Sequence, residues 1–159
     1  MEVGIYGLGR MGANMARRLL EGGRRVIVFN RSREPVEAAA AFGAVPSDSL
    51  ADLVAKLSAP RVVWLMLPAG EVTEEALQSA MALLSPRDTI VDGANSNYKD
   101  TLRRAAMVKD AGFRFVDVGT SGGIWGLTEG YSLMVGGDEA AVEALLPLLE
   151  TLAPAPDLG

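Results

Sequence analysis

Val3-Gly4-Ile5-Tyr6-Gly7-Leu8-Gly9-Arg10-Met11-Gly12 is the stretch that decides how this chain folds. Its first four residues form a short apolar run of strand length. A helical pattern, Met11, Met15, Leu19 and Leu20, begins where that run ends. The glycines between them have the spacing G-x-G-x-x-G, which is weak evidence alone. Placed after a first strand and opening a helix, it gains a physical reading. Gly7 permits the tight turn, Gly9 lets the backbone approach a pyrophosphate, and Gly12 allows the helix to pack closely on the strand. Free N–H groups at the helix start then face an anion, favoured by the helix dipole. Gly7, Leu8, Gly9, Arg10, Met11 and Gly12 are therefore the candidate phosphate-binding residues. A cluster of turn glycines with no ligand is the bland alternative.

Outward from this loop the chain alternates two periodicities. Apolar runs at Val3–Tyr6, Arg25–Phe29, Val62–Leu67, Thr89–Asp92, Phe113–Val118 and Tyr131–Val135 have strand length and β-branched content. Helical patterns lie between them. The first stops at Gly22-Gly23, the second runs from near Pro35 to Phe42 and closes at Gly43, and others cover Ser49–Leu57, Glu71–Leu84 and Tyr98–Ala111. Asp138 is a good N-cap for a last helix through Leu152. Strands alternating with helices predict a Rossmann-type, doubly wound, mostly parallel sheet with helices on both faces. Residues 1–153 read as one dinucleotide-binding domain. The tail Pro154-Ala155-Pro156-Asp157-Leu158-Gly159 reads as the start of a linker to a further domain.

Composition narrows the chemistry. The 159 residues include no cysteine and no histidine, which excludes disulfides, Cys/His metal sites, cysteine nucleophiles and any Ser-His-Asp triad within the chain. No metal site is expected. Apolar content of 49% with 22% charged residues marks an ordinary globular chain. No run approaches the length of a membrane span and no signal peptide is visible, so a cytoplasmic protein is expected. The net charge of −5 is uneven: residues 1–33 carry +5 and the remainder −10. An acidic protein with one basic end speaks against nucleic-acid binding and suits capture of a small phosphorylated ligand. Arg17, Arg18, Arg24 and Arg25 are expected to be solvated helix and loop surface.

The end of the second strand chooses the nucleotide. NAD binders usually carry an acidic residue there to hold the ribose hydroxyls. This chain has Asn30-Arg31-Ser32, with no carboxylate to repel a 2′-phosphate and Arg31 placed to pair with it, so NADP is expected and NAD stays open. Arg33 is a weaker candidate for the same task. Met66-Leu67-Pro68-Ala69-Gly70 and Asp92-Gly93-Ala94-Asn95-Ser96 also end strands, where a doubly wound sheet holds its ligands. Leu67, Pro68, Ala69 and Asn95 are thus further cofactor candidates. The loop Asp117-Val118-Gly119-Thr120-Ser121-Gly122-Gly123-Ile124-Trp125-Gly126-Leu127 offers small residues, amides and hydroxyls that suit an oxyanion or carboxylate. Trp64, within an apolar strand, is expected in the core.

Gly7–Gly12 running into Ala13-Asn14-Met15-Ala16, Asp92-Gly93-x-Asn95-Ser96-x-Tyr98 and Thr120-Ser121-Gly122-Gly123 together resemble the decarboxylating 6-phosphogluconate dehydrogenases. The match covers essentially the whole chain and the N-terminal half of such an enzyme. The Asp117–Leu127 segment is most similar to the shorter bacterial form. The resemblance implies oxidation of 6-phosphogluconate at its C3 hydroxyl by hydride transfer to the nicotinamide, then loss of CO2 to give ribulose 5-phosphate. Asn95 would touch both nicotinamide and substrate. Ser121, Gly122 and Gly123 would hold the substrate's carboxylate and neighbouring hydroxyl, and Asn30, Arg31 and Ser32 the 2′-phosphate. NAD-using bacterial members commonly carry Asp at the strand-two position, where this chain has Asn30. The family's base and acid are a lysine and a glutamate on later helices, and its dimers form largely through that region, so the full-length protein is expected to be a homo-oligomer. Lys56, Lys99 and Lys109 read as surface residues, and the chain alone is expected to bind dinucleotide without turnover.

Two alternatives remain. The wider β-hydroxyacid dehydrogenase group includes hydroxyisobutyrate-type enzymes, which usually carry Ala-Pro-Val where this chain has Val118-Gly119-Thr120. Assay of an intact protein with 6-phosphogluconate and with hydroxyisobutyrate separates the two. A non-catalytic nucleotide-sensing domain is the alternative of another class, and it gives no reason for the Thr120–Gly123 loop.

Overall fold

The computed structural model describes residues 1–94, 98–121 and 126–153. Its elements run β1 (Glu2–Tyr6), α1 (Arg10–Glu21), β2 (Arg25–Phe29), α2 (Arg33–Ala41), β3 (Val45–Pro46), α3 (Leu50–Ala55), β4 (Val62–Leu65), α4 (Glu71–Leu83), β5 (Thr89–Asp92), α5 (Tyr98–Asp110), β6 (Arg114–Ser121), α6 (Gly126–Glu129), β7 (Ser132–Gly137) and α7 (Glu139–Leu152). The seven strands form one sheet in the order β3-β2-β1-β4-β5-β6-β7. All neighbours are parallel except β6 and β7, which pair antiparallel from Val116↔Gly137 to Ser121↔Ser132.

The strand residues alternate between two cores, as the period of two requires. Val3 and Ile5 of β1, Val26 and Val28 of β2, and Trp64 of β4 face Met15, Leu19, Val36 and Leu145, which come from α1, α2 and α7. Ile27, Val63, Leu65 and Ile90 face Leu53, Leu77 and Val108, which come from α3, α4 and α5. Helices therefore cover both faces, the expected double winding. Each fully buried side chain such as Met15 or Leu19 contributes about 1.5–3 kcal/mol. Trp64 is completely buried, as expected.

Local chemistry sets the helix ends. Gly23 donates to Leu20 O and Arg24 to Leu19 O, which ends α1 in a Schellman motif with Gly23 at φ +83°. Gly43 and Ala44 repeat the pattern on Ala40 O and Ala39 O to end α2. Ser49 caps α3 by accepting from Asp52 N at 3.0 Å, and Asp138 caps α7 by accepting from Ala141 N at 3.2 Å.

Two elements, β3 and α6, were not expected, and two expectations need correction. β3 is a two-residue edge strand containing Pro46, too short to show a period. Arg18 and Arg24 are half-buried, not solvated surface. Arg18 donates to Leu127 O (3.1 Å), Thr151 O (2.9 Å), Leu152 O (3.1 Å) and Ala153 O (2.8 Å), and Arg24 donates to Thr151 Oγ1 (3.1 Å). The last carbonyls of α7 lack intrahelical donors, and a cation there is favoured by the helix dipole. Arg17 and Arg25 are exposed, paired with Glu21 and Glu2. Lys99 and Lys109 are exposed, whereas Lys56 is half-buried and donates to Asp52 and to Pro46 O. Among the described residues, no helix is long and apolar enough to cross a membrane.

Candidate functional site

Because β1 lies between β2 and β4, successive connections leave it in opposite directions, and a crevice opens at the carboxyl ends of β1 and β4. The glycine loop sits in that crevice. Gly7 has φ +109°, and a Cβ there would stand 2.2 Å from Met66 O, so only glycine fits. A Cβ on Gly12 would lie 2.1 Å from Gly7 O, so α1 can start this close to the loop only without a side chain. A Cβ on Gly9 would meet nothing within 4 Å. The tight-turn and packing tasks thus belong to Gly7 and Gly12, and the space over Gly9 suits an approaching phosphate. No side chain caps α1, whose N-cap is Gly9, and no acidic residue occupies its first turn. Its first amides therefore suit an anion. Arg10 is exposed at that terminus, and among the described residues it has no ion-pair partner.

Asn30 joins this loop to the end of β2. Its Oδ1 accepts from Leu8 N at 2.9 Å and its Nδ2 donates to Ser32 O at 3.3 Å, while Gly7 N donates to Phe29 O at 3.0 Å. One amide side chain thus sets the glycine loop and the start of α2 relative to each other. Ser32 is the N-cap of α2, yet its hydroxyl makes no capping bond. Arg31 is exposed, with Nη2 at 3.6 Å from Glu75 Oε2 on α4. The Tyr6 hydroxyl and the Glu75 carboxylate both favour its charged form. Arg33 turns elsewhere, to Asp48 at 2.8 Å and Glu37 at 3.6 Å.

A recess of about 230 Å³ lies beside the loop, lined by Met11, Met66, Leu67, Pro68, Ala69, Gly93 and Thr120. It brings together the first turn of α1 and the ends of β4, β5 and β6. Leu67, Pro68 and Ala69 therefore sit with the glycine loop, as their position in the sequence requires. Thr120 Oγ1 is shielded from solvent and has no hydrogen-bond partner among the described residues. A hydroxyl so placed is costly to leave unpaired and is suited to a ligand. The remaining candidates lie outside the described residues: Asn95, Gly122 and Gly123 entirely, and Ser121 for its side chain. The linker-like stretch 154–159 and Trp125 lie outside them too.

Behind the recess, a buried charge network ties the elements together. Arg104 of α5 and Asp92 at the end of β5 are almost fully buried, with Arg104 Nη1 at 3.3 Å from Asp92 Oδ2 and Arg104 Nε at 2.9 Å from Glu74 Oε1. Asp92 Oδ1 accepts from Ala94 N at 2.9 Å and so holds the first residues of the loop that leads to Asn95. Burial pushes the Asp92 carboxyl above the ordinary carboxylate range, while the Ala94 amide and Arg104 act against that shift. Glu74 lies below its ordinary value, chiefly through its bond from Arg103. Sequence reading missed this network and the Tyr6–Arg31–Glu75 contact. One signal was available, because Arg104 shares a helix face with Val108 and an arginine on an apolar face needs a buried partner.

A larger cavity, about 340 Å³ with Pro60, Pro86 and Arg114 in its lining, lies where β4, β5 and β6 begin. Ligands of open α/β sheets bind at the opposite, carboxyl ends of the strands, where the glycine loop is.

Comparison with known proteins gives a consistent result. Residues 2–157 match the family described as the NAD binding domain of 6-phosphogluconate dehydrogenase. A relative from Haloferax volcanii, an NAD(+)-dependent, decarboxylating 6-phosphogluconate dehydrogenase, is 43% identical over 99% of this chain and 52% of its own length. The chain thus spans about half of that relative. The 6-phosphogluconate dehydrogenase of Plasmodium falciparum, solved with NADP+ and with 6-phosphogluconate, aligns with TM-score 0.92 and 26% identity over 98% of this chain and 35% of its own. A 3-hydroxyisobutyrate dehydrogenase from Mycobacterium tuberculosis, solved with L-serine, aligns with TM-score 0.87 and 31% identity over 96% of this chain and 52% of its own.

Proposed function

This chain belongs to the family of NAD-binding domains of 6-phosphogluconate dehydrogenase, and we propose that it binds NADP, with the pyrophosphate over Gly9 and the 2′-phosphate at Asn30, Arg31 and Ser32. The observation that carries this reading is the Asn30 side chain. By accepting from Leu8 N and donating to Ser32 O it holds the uncapped, anion-favouring start of α1 in a fixed relation to Ser32, whose hydroxyl makes no capping bond and is left for the ligand. Leu67, Pro68 and Ala69 border the same ligand across the crevice, and Arg10 adds a cation beside the pyrophosphate.

Bound here, the nicotinamide supplies the hydride acceptor. The chain's own residues do the positioning. Met11, Met66, Leu67 and Pro68 make an apolar wall that keeps water from one side of the recess. The Thr120 hydroxyl offers a hydrogen bond to whatever occupies it. Asn95, Ser121, Gly122 and Gly123 are the residues proposed to hold the substrate's carboxylate and hydroxyl. In the intact protein the reaction proposed is oxidative decarboxylation of 6-phosphogluconate in the cytoplasm. A small 3-hydroxy acid is the second reading, supported by the similarity to the M. tuberculosis enzyme.

Titration of the chain with NADP and NAD tests the cofactor assignment. NADP should bind more tightly, and Arg31→Ala should weaken NADP about tenfold while leaving NAD nearly unchanged, as the loss of an exposed charge-assisted contact requires. Equal affinity in the parent chain, or tighter NAD, would refute it.

A further inference from the structure

Arg31 is not an unopposed cation. Glu75 reaches it across the crevice from the second turn of α4, with the two side chains 65% and 70% exposed and 3.6 Å apart. The carboxylate next to Glu75 in sequence, Glu74, turns to Arg103 and Arg104 instead. The neighbouring guanidinium, Arg33, is taken by Asp48 and Glu37. Of these charged groups, Glu75 is thus left to Arg31, which the Tyr6 hydroxyl also contacts, at the end of β2, where the 2′-phosphate is proposed to sit.

We propose that Glu75 is a specificity-determining residue that competes with the 2′-phosphate for Arg31 and lowers the preference for NADP over NAD. The inference rests on the cofactor reading above. A phosphate dianion that pairs with Arg31 must displace Glu75 or share the guanidinium with it, at the distance where like charges repel. A ribose hydroxyl in the same place meets neither obstacle, so NAD binding is indifferent to Glu75. The contact is exposed, so its effect is modest and depends on salt.

The test is calorimetric titration of NADP and NAD into the parent chain and into Glu75→Gln, Glu75→Lys and Arg31→Ala variants. Glu75→Gln should tighten NADP about two- to fivefold with NAD unchanged, and the gain should shrink as ionic strength rises. Glu75→Lys should tighten NADP further. An unchanged NADP-to-NAD ratio in both Glu75 variants, or equal tightening of both nucleotides, overturns the proposal. The Arg31 variant separates the two possible failures. If Arg31→Ala weakens NADP selectively and the Glu75 variants do nothing, Glu75 is not a competitor although the cofactor reading stands. If Arg31→Ala spares NADP, the cofactor reading falls and this inference falls with it.

Discussion

Asn30 shows how much one side chain decides. Its carbonyl oxygen is committed to Leu8 N, and that oxygen would also exist in an aspartate. Asn30→Asp should therefore keep the loop in place while adding a charge where the 2′-phosphate is proposed to bind. NADP should weaken about tenfold or more, and NAD should hold or tighten because a carboxylate accepts from ribose hydroxyls. Paired titrations read the result, and equal loss of both nucleotides would mean that Asn30 acts only on the loop. The place of this residue, directly after the second strand, was legible in the sequence. Its bond to the glycine loop was not legible, because it joins residues 22 apart in the chain. Arg18 repeats the lesson. Its charge suggested solvent, yet the unpaired carbonyls at the end of a helix more than a hundred residues away claim it.

At the scale of elements, the pattern of apolar residues and glycines located nearly every strand and helix. The Schellman endings of α1 and α2 and the caps at Ser49 and Asp138 are local chemistry, which a sequence displays directly. What escaped was short or non-local: the two residues of β3, the four of α6, and the buried Arg104–Asp92 pair that joins α5 to β5. Arg104→Met should cost about 3 kcal/mol at neutral pH, because it leaves a buried carboxylate without its cation. Glu74 keeps Arg103, so most of the loss falls on Asp92. The Asp92 carboxyl already lies above its ordinary range, and losing Arg104 moves it further up. A folded-state pKa above the unfolded value means that the penalty is fully present above the folded pKa and fades as the group protonates. The gap between parent and variant in urea unfolding should thus narrow from pH 7.5 to pH 5, whereas a gap that stays constant or widens would assign the cost to lost packing alone.

For the whole molecule, topology explains why so few residues suffice. The sheet order places the ends of β1 and β4 side by side, and every loop that borders the crevice follows a parallel strand. With no cysteine or histidine, the proposed site consists of amides, hydroxyls, asparagines and arginine, groups suited to holding a dinucleotide. Of the seven arginines in residues 1–33, only Arg10, Arg31 and Arg33 lie at the glycine-loop end of the strands, whereas Arg17, Arg18, Arg24 and Arg25 lie at the far end of α1 and the start of β2, so the charge of the segment as a whole is not gathered at the crevice. The two cavities, at opposite ends of the strands, make the assignment of the site open to direct contradiction. The decisive measurement is an amide-resolved NMR titration of the chain with NADP. The largest shifts should fall on Leu8–Gly12, Arg31, Ser32, Leu67 and Ala69. Shifts centred instead on Arg61, Arg87 and Arg114, around the other cavity, or no saturable shifts at all, would contradict the account.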